Sequence, residues 1–111
     1  MKITHALAFF SLLLPLGAVS GHAAPASENW ENFCAKCHAA DGTGATKIGK
    51  KLKLKDYTDA KVQDALKDDV LIKAIADGVS EGGKEKMKGF KDAMSEAEIK
   101  DLVAHIRKMK K

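Results

Sequence analysis

Both cysteines of this 111-residue chain lie in one pentapeptide, Cys34-Ala35-Lys36-Cys37-His38. Residues three and four apart lie on the same side of a helical turn, so such a turn would bring both sulfurs and the imidazole of His38 to one face. The preceding segment supports a helix, since Ser27 can cap it and Trp30 and Phe33 fall three residues apart. The fold must therefore present these three side chains together at the end of a helix.

A CxxCH pentapeptide is compatible with three kinds of site. It is found in disulfide oxidoreductases, as half of a zinc site or, because a histidine follows, at haem attachment sites. A tetrahedral zinc site needs a second pair of ligands, and the sequence contains no second CxxC, CxxH or HxxxH. A thioredoxin-like protein needs strands around its motif, and no convincing alternating strand is present. The motif therefore predicts covalent haem c, with two thioethers from Cys34 and Cys37 to the porphyrin vinyl groups and His38 as the proximal iron ligand.

The size of the chain also favours a bound prosthetic group. At 111 residues it forms one domain, and only 5% of its residues are aromatic. Such small domains usually need disulfides, a metal or a prosthetic group in addition to their apolar side chains. Because two cysteines permit at most one disulfide, one large apolar haem would supply the missing part of the core.

The first 23 residues have the layout of a secretory signal peptide. Lys2 precedes an apolar run over residues 6–14, and small residues follow up to Ala24. The run is shorter than the roughly 20 residues that span a bilayer, and no other segment is apolar enough for stable membrane insertion. We predict cleavage after Ala23, with cleavage after Ala26 nearly as favourable and an uncleaved membrane anchor as the alternative. The mature domain would comprise residues 24–111 and reside in the periplasm.

Charges of both signs are spread along the chain. The formal net charge is +4, and acidic residues are interleaved with the lysines nearly everywhere. Nucleic-acid-binding proteins concentrate positive charge on one element, so nucleic acid is not an expected partner. Lysines are dense in residues 47–55 and 84–91. They would either solvate the surface or steer the protein to acidic docking surfaces on periplasmic or membrane-bound redox proteins.

The remaining signals predict an all-α fold, with four to five helices around one covalent haem. Thr58 or Asp59 can cap a middle helix. A further helix is expected over residues 69–77, with Gly78 as its C-cap. Residues 80–89 are filled by glycines and charged side chains, which favours a loop.

The last helix has the clearest signal in the sequence. Ser95 and Glu98 have the spacing of a capping box, in which each side chain accepts a hydrogen bond from the other residue's backbone N–H. An apolar stripe at helical spacing follows this box. It comprises Ile99, Leu102, Val103, Ile106 and Met109.

Three stretches of the sequence resemble the small bacterial monohaem class I cytochromes c. They are residues 34–44, 87–90 and 95–107, within a resemblance that extends over residues 27–111. The resemblance implies a small cytochrome c fold and a monomeric electron carrier, not an enzyme. In that family the second axial ligand is a methionine in a loop shortly before the last helix, and Met87 occupies this position. The axial ligands of the haem iron would then be His38 and Met87.

Two other methionines compete with Met87 for the iron. Met87 has polar neighbours and no apolar stripe that would bury it, which favours ligation. Met94 precedes the Ser95 cap, where an apolar residue often packs as a hydrophobic staple. Met109 belongs to the terminal stripe. Met87 is therefore the predicted ligand, and the alternatives are Met94, an open site and His105.

The sequence departs from the family pattern at three points. Ala26 stands where the family commonly has glycine, and His105 stands where it has an aromatic residue that would pack near Trp30. A proline whose carbonyl orients the proximal histidine is also missing from its usual place. A carbonyl near Ile48 or Gly49 would have to replace it.

Two functions are compatible with these predictions. The first is a diffusible carrier that shuttles single electrons between periplasmic redox proteins, which requires a six-coordinate iron. The second is a haem domain that binds a small ligand such as CO, NO or peroxide, which requires an open sixth position. The sequence shows no distal catalytic His–Arg pair, so the carrier is the favoured function.

Overall fold

The computed structural model describes residues 23–111. This part of the chain forms six helices and one two-stranded antiparallel sheet. In chain order the elements are α1 (Ala26–Phe33), α2 (Ala35–His38), α3 (Lys47–Leu52), α4 (Ala60–Ala65), α5 (Asp68–Asp77), β1 (Gly78–Glu81), β2 (Lys84–Lys88) and α6 (Glu96–Arg107). The predicted helical fold is confirmed, although six helices take the place of the expected four to five.

The additional helix α3 lies in the lysine-rich segment after the pentapeptide. Thr46 caps it, because the Thr46 hydroxyl accepts a hydrogen bond from the Gly49 N–H at 2.8 Å. Three of its six residues are lysines, so it has no apolar stripe that periodicity could detect. A cap and local hydrogen bonds define this helix, which is why the sequence pattern did not predict it.

The last helix, α6, begins as predicted. The Ser95 hydroxyl accepts from the Glu98 N–H at 3.1 Å, and the Glu98 carboxylate accepts from the Ser95 N–H at 3.2 Å. The buried asparagine Asn29 of α1 donates to the same carboxylate at 2.9 Å, which ties α1 to the start of α6. The capping box thus also fixes the crossing of the first and last helices.

One apolar core lies between α1, α5, α6 and residues 90–94. Its buried members are Trp30, Cys34, Leu71, Ile75, Phe90, Met94, Ile99, Leu102, Val103 and Ile106. Ala26, at the position where the family commonly has glycine, packs against this core. The ring of His105 lies 5.7 Å from that of Trp30, as expected from the sequence.

The segment expected to be a loop is a β-hairpin. Strand β1 pairs with β2 in antiparallel register, with Gly78 opposite Lys88 and Val79 opposite Met87. The turn is Gly82-Gly83, with φ of +56° and +77°, and glycine adopts these angles without steric cost. Nearly all strand residues are exposed, so no alternation of apolar and polar residues marked the strands. The Gly-Gly pair was the signal that could have revealed the hairpin.

The described residues contain no helix long and apolar enough to cross a membrane. The predicted signal peptide lies almost entirely outside the described residues, which begin at position 23. Its cleavage therefore stays a prediction.

Candidate cofactor site

All four predicted site residues line one cavity. Cys34, Cys37, His38 and Met87 surround a space of about 470 Å³. The far wall consists of residues 52–55 and the hairpin. A smaller and deeper cavity of about 30 Å³ continues inward and is bounded by the apolar side chains of α5 and α6. The fold thus brings Met87 together with residues that lie 49 to 53 positions earlier in the sequence.

The pentapeptide forms a tight helical turn between α1 and α2. The N–H groups of Cys37 and His38 both donate to the Cys34 carbonyl, at 3.2 and 2.9 Å. Cys34 is buried, Cys37 is half-buried, and the two thiols are not joined in a disulfide. Burial, with a smaller contribution from Cys37, raises the pKa of the Cys34 thiol to about 11. The attacking cysteine of a disulfide oxidoreductase has a lowered pKa, so the arrangement disfavours that alternative.

The backbone after the pentapeptide wraps tightly around it. The Thr46 hydroxyl donates to the Cys37 carbonyl at 2.7 Å. Gly49 approaches the same carbonyl so closely that a Cβ at this position would lie 2.6 Å from its oxygen. The Ala39 carbonyl accepts from the Trp30 indole N–H at 3.1 Å, and Ala39 has a φ of +68°. These contacts hold the turn that presents the thiols and the imidazole.

The imidazole of His38 lies between two aromatic rings. Its centroid is 5.4 Å from the ring of Tyr57, which stacks at 19°, and 5.7 Å from the ring of Trp30, which is tilted by 44°. Burial lowers the pKa of His38, which favours the neutral imidazole that metals bind. Within residues 23–111 its Nδ1 is buried and has no hydrogen-bond partner.

The expected orienting carbonyl near Ile48 or Gly49 is therefore not found. Both residues lie in α3, and the Gly49 carbonyl accepts instead from the Leu54 N–H at 2.9 Å. A helical segment directs its carbonyls along its own axis, which is why this segment does not supply the missing acceptor. Because α3 has no apolar periodicity, it was not predicted, and the expected position of the orienting carbonyl was wrong for that reason.

Met87 lies on β2 and is half-buried at the cavity wall. The base of the hairpin is fixed to the end of α5, where the Phe90 N–H donates to the Ile75 carbonyl at 2.8 Å. At Gly89 a Cβ would lie 2.5 Å from the Ala76 carbonyl oxygen, so the two segments touch through their backbones. A paired strand on a fixed base thus sets the position of Met87.

The other two methionine candidates lie elsewhere. Met94 is 5% exposed and belongs to the core, as expected of a hydrophobic staple. Met109 packs at the edge of the core, against Gly42. Of the methionines in the described part of the chain, Met87 alone lines the cavity.

The residues that line the site fit a haem. Two thiols, an imidazole and a thioether face one largely apolar cavity, and these are the groups that attach haem c and ligate its iron. Sequence reasoning missed Tyr57, which lines both cavities. No local pattern marks Tyr57, because its contact with His38 depends on how distant segments pack.

Comparisons with known proteins agree with this geometry. The cytochrome c family model matches residues 23–110. The structure is similar to that of the c-type cytochrome KustC0563, with a TM-score of 0.70, 30% sequence identity, and coverage of 79% of this chain and 100% of that one. A mutant of KustC0563 matches with a TM-score of 0.65 and 30% identity, over 78% of this chain and 100% of that one. No curated protein matches the chain.

The fold and the site define a small monohaem c-type cytochrome. The chain belongs to the cytochrome c family, with a covalently attached haem c as its cofactor, and it is a haem-based electron carrier.

Proposed function

We propose that this protein is a periplasmic carrier that shuttles single electrons between redox proteins. One haem is bound through thioethers at Cys34 and Cys37, and its iron has His38 and Met87 as axial ligands. The observation that carries the proposal is that these four residues line one cavity, while Met94 and Met109 lie outside it.

The haem supplies reversible one-electron chemistry at its iron, and the side chains around the site set its reduction potential and its access to water. Thioether ligation by Met87 would favour the ferrous state and raise the reduction potential relative to a second histidine. The apolar wall of the inner cavity, which includes Leu71, Ile75 and Leu102, would keep water from a haem held at this site. The covalent links at the two cysteines make loss of the haem impossible without breaking a bond.

The mouth of the cavity favours docking of an acidic partner. Four exposed lysines line it, namely Lys53, Lys55, Lys86 and Lys88, with two glutamates, Glu81 and Glu85. A net positive rim attracts acidic surfaces and speeds encounter at low ionic strength. The partners we propose are periplasmic or membrane-bound redox proteins with acidic docking surfaces. The carrier would bind them as a monomer through small, transient interfaces.

The predicted export of the chain also supports a periplasmic location. Residues 1–23 have the signal-peptide layout, and c-type haem in a cleaved, exported domain over residues 24–111 fits a periplasmic carrier.

Two measurements on the purified periplasmic protein test the cofactor and the export together. The intact mass should exceed that of the polypeptide from residue 24 or 27 by one haem, and acid–acetone should not extract the pigment. A mass equal to the polypeptide alone, with a disulfide, would contradict the proposal. Rapid binding of CO to the untreated ferrous protein would instead favour the small-ligand alternative.

A charge-reversal pair tests the docking surface. Lys86→Glu with Lys88→Glu makes the rim net negative, so it should slow electron transfer to an acidic redox protein and reverse the sign of its dependence on ionic strength. The control, Lys61→Glu with Lys73→Glu, makes the same charge change at exposed positions that do not line the cavity. Equal slowing by both pairs would show that net charge, not this surface, governs the encounter.

A further inference from the structure

A buried amide links the last helix to the site. Gln63 of α4 is 4% exposed, and all of its side-chain hydrogen-bonding groups are engaged. Its Nε2 donates to the Tyr57 carbonyl at 2.7 Å and to the Ile106 carbonyl at 2.8 Å. Its Oε1 accepts from Arg107 at 3.0 Å. Breaking such a buried network would leave buried polar groups without hydrogen-bond partners, which destabilises the fold.

Arg107 fixes this amide from the end of α6. Its guanidinium also donates to the Gln63 carbonyl at 2.7 Å, to the Asp68 carboxylate at 2.9 Å and to the Leu66 carbonyl. The side chain thus satisfies the carbonyls at the end of α4 and meets the start of α5. Contacts with Ile106 and Arg107 therefore tie Gln63 to the end of α6.

The side-chain amide of Gln63 also holds the backbone of Tyr57 in place. The Tyr57 N–H donates to the Gly42 carbonyl at 2.9 Å, while the Tyr57 carbonyl accepts from Gln63. The Tyr57 ring stacks on His38 and lines both cavities. Tyr57 is therefore clamped between the loop after the pentapeptide and the amide of α4.

The His38 ring depends on this packing for its orientation. Metal-binding histidines usually donate their second ring nitrogen to a carbonyl or carboxylate, which fixes the plane of the imidazole. Among residues 23–111 the buried Nδ1 of His38 has no such partner. Its ring instead packs against aromatic side chains, with Tyr57 stacked at 19° and Trp30 tilted by 44°.

We propose that Gln63 is a positioning residue for the iron ligand His38 and acts through the backbone and ring of Tyr57. The proposal rests on ligation of the haem iron by His38, as in the proposed function. If Gln63 is lost, Tyr57 can move away from the imidazole, so that the ligand plane shifts and water reaches the haem more easily. Water stabilises the more highly charged ferric state, which lowers the reduction potential.

The test is Gln63→Leu in the haem-loaded protein, compared with Ser95→Ala. Gln63→Leu should change the ferric EPR g-values and the haem methyl NMR shifts, lower the midpoint potential and lower the Tm. Ser95→Ala removes a cap at the opposite end of α6 and should lower the Tm without changing the spectra or the potential. If Gln63→Leu changes only the Tm, its role is structural and the proposal is wrong.

A double-mutant cycle tests the route through Tyr57. Tyr57→Leu should reproduce the spectral change, and Gln63→Leu should add almost nothing in that background. Full additivity would overturn the route. If Gln63→Leu does not yield haem-loaded protein, Arg107→Lys keeps the amide donors of Gln63 and should give a smaller shift in the same direction; no shift would overturn the proposal.

Failure of His38 ligation would be visible separately. In that case His38→Ala would keep the low-spin spectrum of the unmodified protein, whatever Gln63 does. A changed His38→Ala spectrum together with an unchanged Gln63→Leu spectrum would contradict the role of Gln63 alone.

Discussion

Ala39→Gly should stabilise the protein, although glycine usually weakens a fold. Ala39 follows His38 directly and has φ of +68° and ψ of 158°, a region that is essentially restricted to glycine. Holding a side chain there costs about 1–3 kcal/mol, whereas glycine adds about 0.4–1 kcal/mol of unfolded-state entropy. The expected gain is therefore about 1 kcal/mol, or roughly 4–8 °C in Tm for a domain of this size.

The assay is reversible denaturant unfolding of the haem-loaded variant, followed by far-UV circular dichroism and by haem absorbance. The matched control is Ala45→Gly, at an exposed residue six positions later with an ordinary φ. It should lose stability by about 0.4–1 kcal/mol, since only the entropic term applies. Equal destabilisation by both substitutions would refute the claim that Ala39 stores strain to let its carbonyl meet Trp30.

Two further predictions concern the haem as part of the core and the response to acid. Cys34→Ser with Cys37→Ser should leave a largely unfolded chain, because no haem would fill the 470 Å³ cavity. Native helicity with a cooperative melt would contradict this prediction. Hydrogen bonds from Asn29 and the Ser95 backbone lower the pKa of Glu98. A lowered folded-state pKa adds stability above the unfolded-state pKa, near 4.5 here, that is lost as the pH falls through the folded-state value. Glu98→Gln should therefore flatten the fall of Tm in acid, and an unchanged profile would show that other carboxylates govern it.

Local signals accounted for most of the helical fold. The Ser95–Glu98 box and the stripe behind it lie entirely within one segment, so the sequence was sufficient to predict α6. The hairpin was not predicted because its strands are exposed and charged, and α3 was not predicted because its cap is followed by lysines. Both elements lack the apolar periodicity on which sequence reasoning depends.

The residues of the site likewise fall into those that a local sequence pattern predicts and those that it does not. Cys34, Cys37 and His38 are close in sequence, so one turn specifies their chemistry. Tyr57 and Gln63 act through contacts between segments that are distant in sequence, and no local pattern encodes such contacts. The prediction that a carbonyl after the pentapeptide orients His38 was wrong for the same reason. That prediction depended on how α3 folds against the pentapeptide, which no local pattern encodes.

The identity of the sixth ligand is the central claim, and the ferric visible spectrum of two methionine variants tests it most directly. The unmodified protein should show the weak band near the red end of the spectrum that accompanies Met–iron coordination. Met87→Ala should abolish this band, lower the reduction potential and let CO or imidazole bind. Met94→Ala removes a core side chain that is 5% exposed, and it should cost about 2–5 kcal/mol of stability while the band persists. Survival of the band in Met87→Ala with its loss in Met94→Ala would contradict the account.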